Sequence, residues 1–194
     1  MNNRKVYISG EIVPEVDAKI SIFDSAVLLG DTVTESTRTF NFKPFKLDEH
    51  LERLYKSFKL TRIDPQMTIE EMKKVSLELL EINKDNYKAN EDCWLVHNIS
   101  RGHSITGGNP ALQVSKPTVM IYTQPMNLVS WAPFYSKGCH AVTPPTRMVP
   151  SQSLDARIKN RSRLFYTLAE IEAKLVDPDA QSVILDTVSY THLR

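Results

Sequence analysis

Gly30-Asp31-Thr32-Val33-Thr34-Glu35-Ser36-Thr37-Arg38-Thr39-Phe40, followed by Leu47-Asp48-Glu49-His50-Leu51-Glu52-Arg53-Leu54-Tyr55-Lys56-Ser57-Phe58, is the stretch from which the architecture is read. From Thr32 to Phe40 the side chains alternate with a period of two, as a strand requires. Asn41 to Pro44 supplies a turn. The period then changes: Leu47, Leu51, Leu54 and Phe58 fall at helical spacing, and polar residues fill the other face. Asp64-Pro65 breaks that helix. A strand that turns into an amphipathic helix points to a mixed fold of the α+β class.

Towards the N-terminus, Val6 to Ile8 and Glu11 to Val13 flank Ser9-Gly10 and predict a hairpin, and Lys19 to Phe23 alternates like a further strand. Towards the C-terminus, Thr68-Ile69-Glu70-Glu71 spells a capping box opening a helix that carries Met72, Val75, Leu79 and Ile82 on one side. Trp94 to Ile99 and Thr118 to Tyr122 read as strands joined by a Gly-containing connection, Gly102 to Gly108. These elements make an N-terminal α/β domain over residues 1–122. Residues 123–133, with two prolines and little periodicity, read as an interdomain linker. A second domain starts at 134, with a strand near His140 to Thr143 and a proline-rich connection leading to Leu154-Asp155-Ala156-Arg157-Ile158-Lys159. Its helix carries Leu164, Leu168, Ile171 and Leu175 on the expected inward face, and Ser182 to Leu185 forms a last strand. A strand, a helix and another strand cannot bury both faces of a sheet, so the second domain, 134–187, is expected to be incomplete and the natural protein longer. Val188 to Arg194 continues no pattern and is set aside as a non-native tail.

Bulk properties exclude several function classes. The 194 residues are 41% hydrophobic and 24% charged with a net charge of +1, which gives no electrostatic reason for a nucleic-acid or acidic-membrane partner. Cys93 and Cys139 form no metal-ligand spacing and read as buried free thiols of a reducing, cytoplasmic compartment. The first residues, with one short apolar stretch broken by Gly10 and acidic residues, do not read as a signal peptide, and no apolar run approaches the ~18 residues of a membrane span. GxSxG, HExxH, P-loop and dinucleotide fingerprints are missing from the sequence. His97, in an apolar strand, reads as a core histidine rather than a ligand.

Three clusters could carry chemistry. In Asp155-Ala156-Arg157-Ile158-Lys159-Asn160 a lysine lies between the proline-rich connection and a helix; a lysine that forms a Schiff base must shed its proton, which burial or a neighbouring cation such as Arg157 or Arg161 assists. The alternative is an ordinary solvated lysine. In Glu49-His50-Leu51-Glu52-Arg53-Leu54 the arginine sits beside the apolar stripe, where a guanidinium can take a phosphate in bidentate fashion; the alternative is an exposed pair with Glu49. Arg101-Gly102-His103, at a strand end, suits recognition of a carboxylate, and a loop arginine without a ligand is the alternative.

In this order the clusters resemble the class IV pyridoxal-phosphate aminotransferases, a family that includes branched-chain and D-amino acid aminotransferases and aminodeoxychorismate lyase. The likeness runs from Val6 to about Asp186. It is carried by Gly30 to Glu35 leading ungapped to Glu49 to Leu54, and by Asp155 to Lys159 with Leu168-Ala169 and Glu172-Ala173. The resemblance implies two α/β domains of the fold-type IV kind working as a homodimer with pyridoxal 5′-phosphate. It assigns Lys159 the Schiff base and the proton shuttle, Arg53 the cofactor phosphate, and Arg101 and His103 the substrate carboxylate. Thr34 stands where many relatives carry an aromatic residue lining the substrate pocket, and Leu164 where some have a cofactor-bonding tyrosine. The family's glutamate for the pyridine nitrogen and its Gly/Thr/Asn phosphate stretch would follow Asp186. The implied reaction moves an amino group between an amino acid, of the branched-chain type by default, and a 2-oxo acid. A D-amino acid aminotransferase, an aminodeoxychorismate lyase and a non-catalytic fragment are the alternatives.

Overall fold

The computed structural model describes residues 3–88, 91–103, 116–126 and 128–187. The chain divides into two compact units, Met1–Met126 together with Ile158–Ser162, and Asn127–Arg157 together with Arg163–Arg194. The expected connection from Gly102 to Gly108 lies mostly, and the tail from Val188 wholly, outside the described residues.

The first unit is an antiparallel sheet carrying helices. Its strands are β1 (Lys5–Ile8), β2 (Glu11–Pro14), β3 (Thr32–Phe40), β4 (Lys43–Pro44), β5 (Cys93–Ser100) and β6 (Thr118–Pro125), in the spatial order β2-β1-β6-β5-β3-β4. Turn chemistry sets both hairpins. Ser9 and Gly10 join β1 to β2 with φ of 48° and 110°, and Asn41 and Phe42 join β3 to β4 with φ of 49° and 62°. Positive φ at both central residues matches the twist of the flanking strands. Register follows the alternation: Val33 opposes Ile99, Glu35 opposes His97, and His97 opposes Ile121, all on one face.

Helices α2 (Leu47–Thr61) and α3 (Ile69–Asn83) supply the apolar core that covers this face. Leu51, Leu54, Met72, Leu79, Leu95, Ile99 and Ile121 are fully buried, each contributing roughly 1.5–3 kcal/mol by leaving water. The capping box forms as the sequence predicts: Glu71 N donates to Thr68 Oγ1 at 3.2 Å, and Thr68 N donates back to Glu71 Oε2 at 2.7 Å.

One expectation for this unit fails. Lys19 to Phe23 is not a strand; its Ile20, Ile22 and Phe23 are exposed, and the chain instead enters a short helix α1 (Ser25–Leu29), capped by Asp24, whose Oδ1 accepts from Ala26 N. Alternation without a neighbouring strand to pair with produced no strand. The stretch 123–133, read as an interdomain linker, holds the division between the two units, Met126 to Asn127, but it is not irregular: β6 continues to Pro125, and α4 (Leu128–Lys137) runs through Pro133.

The second unit contains α4, a parallel pair β7 (Ala141–Val142) and β8 (Gln181–Ser182), and α5 (Leu164–Val176), which packs on that pair. Here the predicted inward face is wrong. Leu164, Leu168, Ile171 and Leu175 are exposed, and Ala169 and Ala173 are buried. Helical periodicity locates an apolar stripe but not the neighbour it meets, and only the alanine stripe meets one within the unit. Glu172 accepts from Thr146 N and Oγ1 at 3.0 and 2.9 Å, fastening the proline-rich connection to this helix. Among the described residues no helix is long and apolar enough to cross a membrane.

Candidate active site

Residues 158–162 belong to the first unit because they add to the edge of β3. Thr34 N donates to Lys159 O, and Arg161 N donates to Thr32 O, both at 2.8 Å, with Val33 and Asn160 forming an isolated bridge. Strand β4 pairs only with Thr39 and Phe40, so this returning segment takes up the other half of the β3 edge. Lys159 N also donates to Ser57 Oγ of α2 at 3.3 Å. A residue remote in sequence is thereby pinned by its backbone beside both β3 and α2.

The centre of the cluster is Glu35, whose alternation turns it inward between Val33 and Thr37. Its side chain has no solvent exposure. Arg53 grips the carboxylate with two parallel bonds, Nε to Oε2 and Nη2 to Oε1, each 2.7 Å. Ser36 N donates to Oε1 at 2.9 Å, His50 Nδ1 lies 3.1 Å from the same oxygen, and Lys159 Nζ lies 4.0 Å from it. Burial alone pushes the Glu35 carboxyl up. The bonds from Arg53 and Ser36 and the charges of Lys159 and Arg53 outweigh burial and hold it below the usual carboxylate range. The Arg53 guanidinium is raised in turn, first by its bond to Glu35. Directly across the sheet, His97 is fully buried with Nε2 at 2.8 Å from Ser76 Oγ, and burial pushes it down to about 4. Since Ser76 donates its proton to Met72 O, His97 Nε2 is the donor of that pair.

Lys159 and Arg53 are therefore brought together, at one oxygen of Glu35, and the alternative pairing of Arg53 with Glu49 does not occur. Glu49 pairs instead with Lys46. The side chain of Lys159 is 28% exposed and that of Arg53 51%, so both present surface while anchored to a buried charge.

The other predicted residues stand elsewhere. Arg101 is engaged on all sides: Nε donates to Asp31 Oδ2 at 2.8 Å, Nη1 to Arg62 O at 2.8 Å, and Nη2 to Thr61 O at 2.9 Å. It caps the C-terminus of α2, eight residues and about 12 Å along the axis from Arg53. His103 is exposed, its ring 5.8 Å from that of Phe23. Thr34, expected to line a substrate pocket, is fully buried and donates its hydroxyl to His97 O at 3.0 Å; its side chain presents no surface to a ligand here. Glu35 is the residue that sequence reasoning passed over. Its signal was available, an acid in the inward phase of a strand. Among the described residues no group of three or more His, Cys, Asp or Glu could hold a metal ion.

The family model for class IV amino-transferases matches residues 32–190. A protein of Methanocaldococcus jannaschii, named provisionally as a branched-chain-amino-acid aminotransferase, is 35% identical over 183 residues, covering 94% of this chain and 59% of that protein. A D-alanine aminotransferase of Staphylococcus epidermidis is 32% identical over 120 residues, covering 62% of this chain and 41% of the relative. In three dimensions the chain superposes on the branched-chain amino acid aminotransferase of Escherichia coli at a TM-score of 0.83 and 22% identity, covering 95% of this chain and 60% of that one. The chain belongs to the class IV aminotransferase family, and it has the mixed α/β fold of the family's solved structures. The chain spans about 60% of the length of the Methanocaldococcus jannaschii and Escherichia coli proteins.

Proposed function

We propose that the protein is a pyridoxal-phosphate-dependent aminotransferase of the branched-chain type, with Lys159 as the residue that binds the cofactor covalently. One observation carries the reading: Lys159 Nζ and the Arg53 guanidinium converge on the same oxygen, Oε1 of Glu35. The residues present suit the cofactor. Its aldehyde and phosphate ester sit on neighbouring ring carbons, and a primary amine and a guanidinium drawn to one carboxylate match that pairing. Arg53 would hold the phosphate with donors not used on Glu35, and Lys159 would hold the aldehyde carbon. Bound there, the cofactor supplies the electron sink for bond breaking at the substrate α-carbon.

The chain's own part is positional and acid–base. Lys159 Nζ, once neutral, is the nucleophile and afterwards the base that moves a proton at the substrate α-carbon. Its backbone bonds to Thr34 and Ser57 fix where that amine can reach. The fork of Arg53 fixes the opposite end of the ligand. An amino acid and a 2-oxo acid are the small-molecule partners in this reading, and a cytoplasmic homodimer is the assembly it carries.

Arg101-Gly102-His103 and the D-alanine aminotransferase relative favour a D-amino acid enzyme as the second reading. The engagement of Arg101 with Asp31 and the end of α2 weighs against it, because a substrate carboxylate would have to displace Asp31. An aminodeoxychorismate lyase would release pyruvate without a 2-oxo acid acceptor.

Incubation with pyridoxal phosphate, reduction with borohydride and peptide mapping test the assignment. Label confined to Lys159, and lost in Lys159→Ala, is the expected result. Label scattered over surface lysines, or unchanged in Lys159→Ala, overturns it.

A further inference from the structure

A carboxylate with no solvent exposure is costly to bury, and ion pairs in protein interiors seldom stabilise a fold more than apolar side chains of the same volume. Stability alone therefore gives a poor reason for Glu35. Geometry gives a better one. An arginine side chain has four rotatable bonds, and one that is half exposed samples many of their rotamers. Arg53 is withdrawn from that freedom because Nε and Nη2 are both fixed on Glu35 at 2.7 Å. Ser36 N and His50 Nδ1 fix the carboxylate in turn, at 2.9 and 3.1 Å. Of the five N–H donors of a guanidinium, this grip occupies one edge, and the Nη1 pair is not part of it.

We propose that Glu35 is a positioning residue. By holding the Nε–Nη2 edge of Arg53 it aims the Nη1 side at the phosphate ester of the cofactor, and by drawing Lys159 Nζ to the same carboxylate it sets the spacing between phosphate and aldehyde sites. This inference rests on the assignment of Lys159 and Arg53 made above. It adds that Glu35 acts through its partners, Arg53 at 2.7 Å foremost and Lys159 at 4.0 Å, and touches no ligand itself.

The test uses the 194-residue chain as it stands and a readout that a merely structural role does not move. Dissociation constants for pyridoxal phosphate and for pyridoxal, which lacks the phosphate, are measured by absorbance titration. Their ratio isolates the contribution of the phosphate. Wild type is expected to favour the phosphorylated ligand strongly, and Arg53→Gln to lose most of that preference. Glu35→Gln should lower the ratio about tenfold, the scale of one charge-assisted hydrogen bond, and should lower it no further when added to Arg53→Gln. Where Glu35→Gln does not melt cooperatively, Glu35→Asp keeps the charge, shortens its reach by one methylene and carries the same expectation. An unchanged ratio, equal weakening of both ligands, or additive effects in the double variant overturns the role given to Glu35 while Lys159 stays labelled. Loss of the preference in wild type, with no label on Lys159, overturns the assignment beneath it instead.

Discussion

Replacing Arg101 by methionine keeps the aliphatic stem and removes the guanidinium. Four hydrogen bonds go with it: to Asp31 Oδ2 and Oδ1 at 2.8 and 3.4 Å, to Arg62 O at 2.8 Å and to Thr61 O at 2.9 Å. The ion pair is largely sheltered, with side-chain exposures of 20% for Arg101 and 27% for Asp31. Hydrogen bonds to charged groups contribute about 1.5–3 kcal/mol each. Bonds sharing one guanidinium are not additive, and the residual exposure screens them, so the loss expected is ~2–3 kcal/mol. Part of it comes from uncapping α2, whose C-terminal carbonyls attract a cation. In a chain of 194 residues that corresponds to a fall in Tm of about 5–10 °C. Thermal and urea unfolding followed by circular dichroism reads it directly. Arg101→Lys, a point donor without the fork, should recover only a minor part. A change below about 0.5 kcal/mol for Arg101→Met, the usual range for a surface substitution, would refute a structural role for these bonds and return Arg101 to the role of a carboxylate receptor, whose loss weakens substrate binding alone.

Three further outcomes are expected. Burial holds His97 neutral down to about 4, so the unfolded chain takes up a proton that the folded chain refuses between pH ~6.5 and ~4; stability is complete above pH ~6.5 and declines as pH falls through that window, by ~2 kcal/mol at pH 5, and urea titrations of His97→Leu should show a shallower decline. Burial likewise pushes the Cys93 thiol up to about 11, while Cys139, expected from the sequence to be buried, is exposed, so a thiol-reactive disulfide reagent should modify one cysteine quickly and the second only on unfolding; two fast thiols would contradict the buried position of Cys93. Thr68→Ala should lower unfolding stability by ~1 kcal/mol through loss of the α3 cap, and an unchanged urea midpoint would count against the capping box.

Where sequence patterns were local and two-sided, they were legible. β3 occupies the span its alternation predicts, Thr32–Phe40, and α2 begins where the period changes, at Leu47. The capping box of α3 could be read because all its atoms lie within four residues. What could not be read depended on neighbours. The alternation at Lys19 to Phe23 lacked a partner strand, and the leucines of α5 lost the inward position to Ala169 and Ala173. For the site, the sequence singled out Lys159 and Arg53 separately but not the group that joins them. Glu35 stood in the quoted stretch as one charged residue among several, and only the fold shows a guanidinium, an imidazole and an amine directed at it. Arg101 illustrates the converse: its residue type suits a ligand, and its surroundings engage it with the protein.

The pairing of β3 with residues 158–162 also bears on the order in which the molecule assembles. Each bond in that pairing closes a loop of well over a hundred residues, spanning α2, α3, β5 and β6. Loop closure costs entropy that grows with length, and here the landing site is itself the edge of a strand that must already be held in its sheet. Docking of Lys159 is thus a late event on the folding route. On the proposed assignment, Lys159 reaches its station only after the hydrophobic interior has formed around β3 and α2, so covalent capture of an aldehyde there would report a chain whose first unit has completed folding.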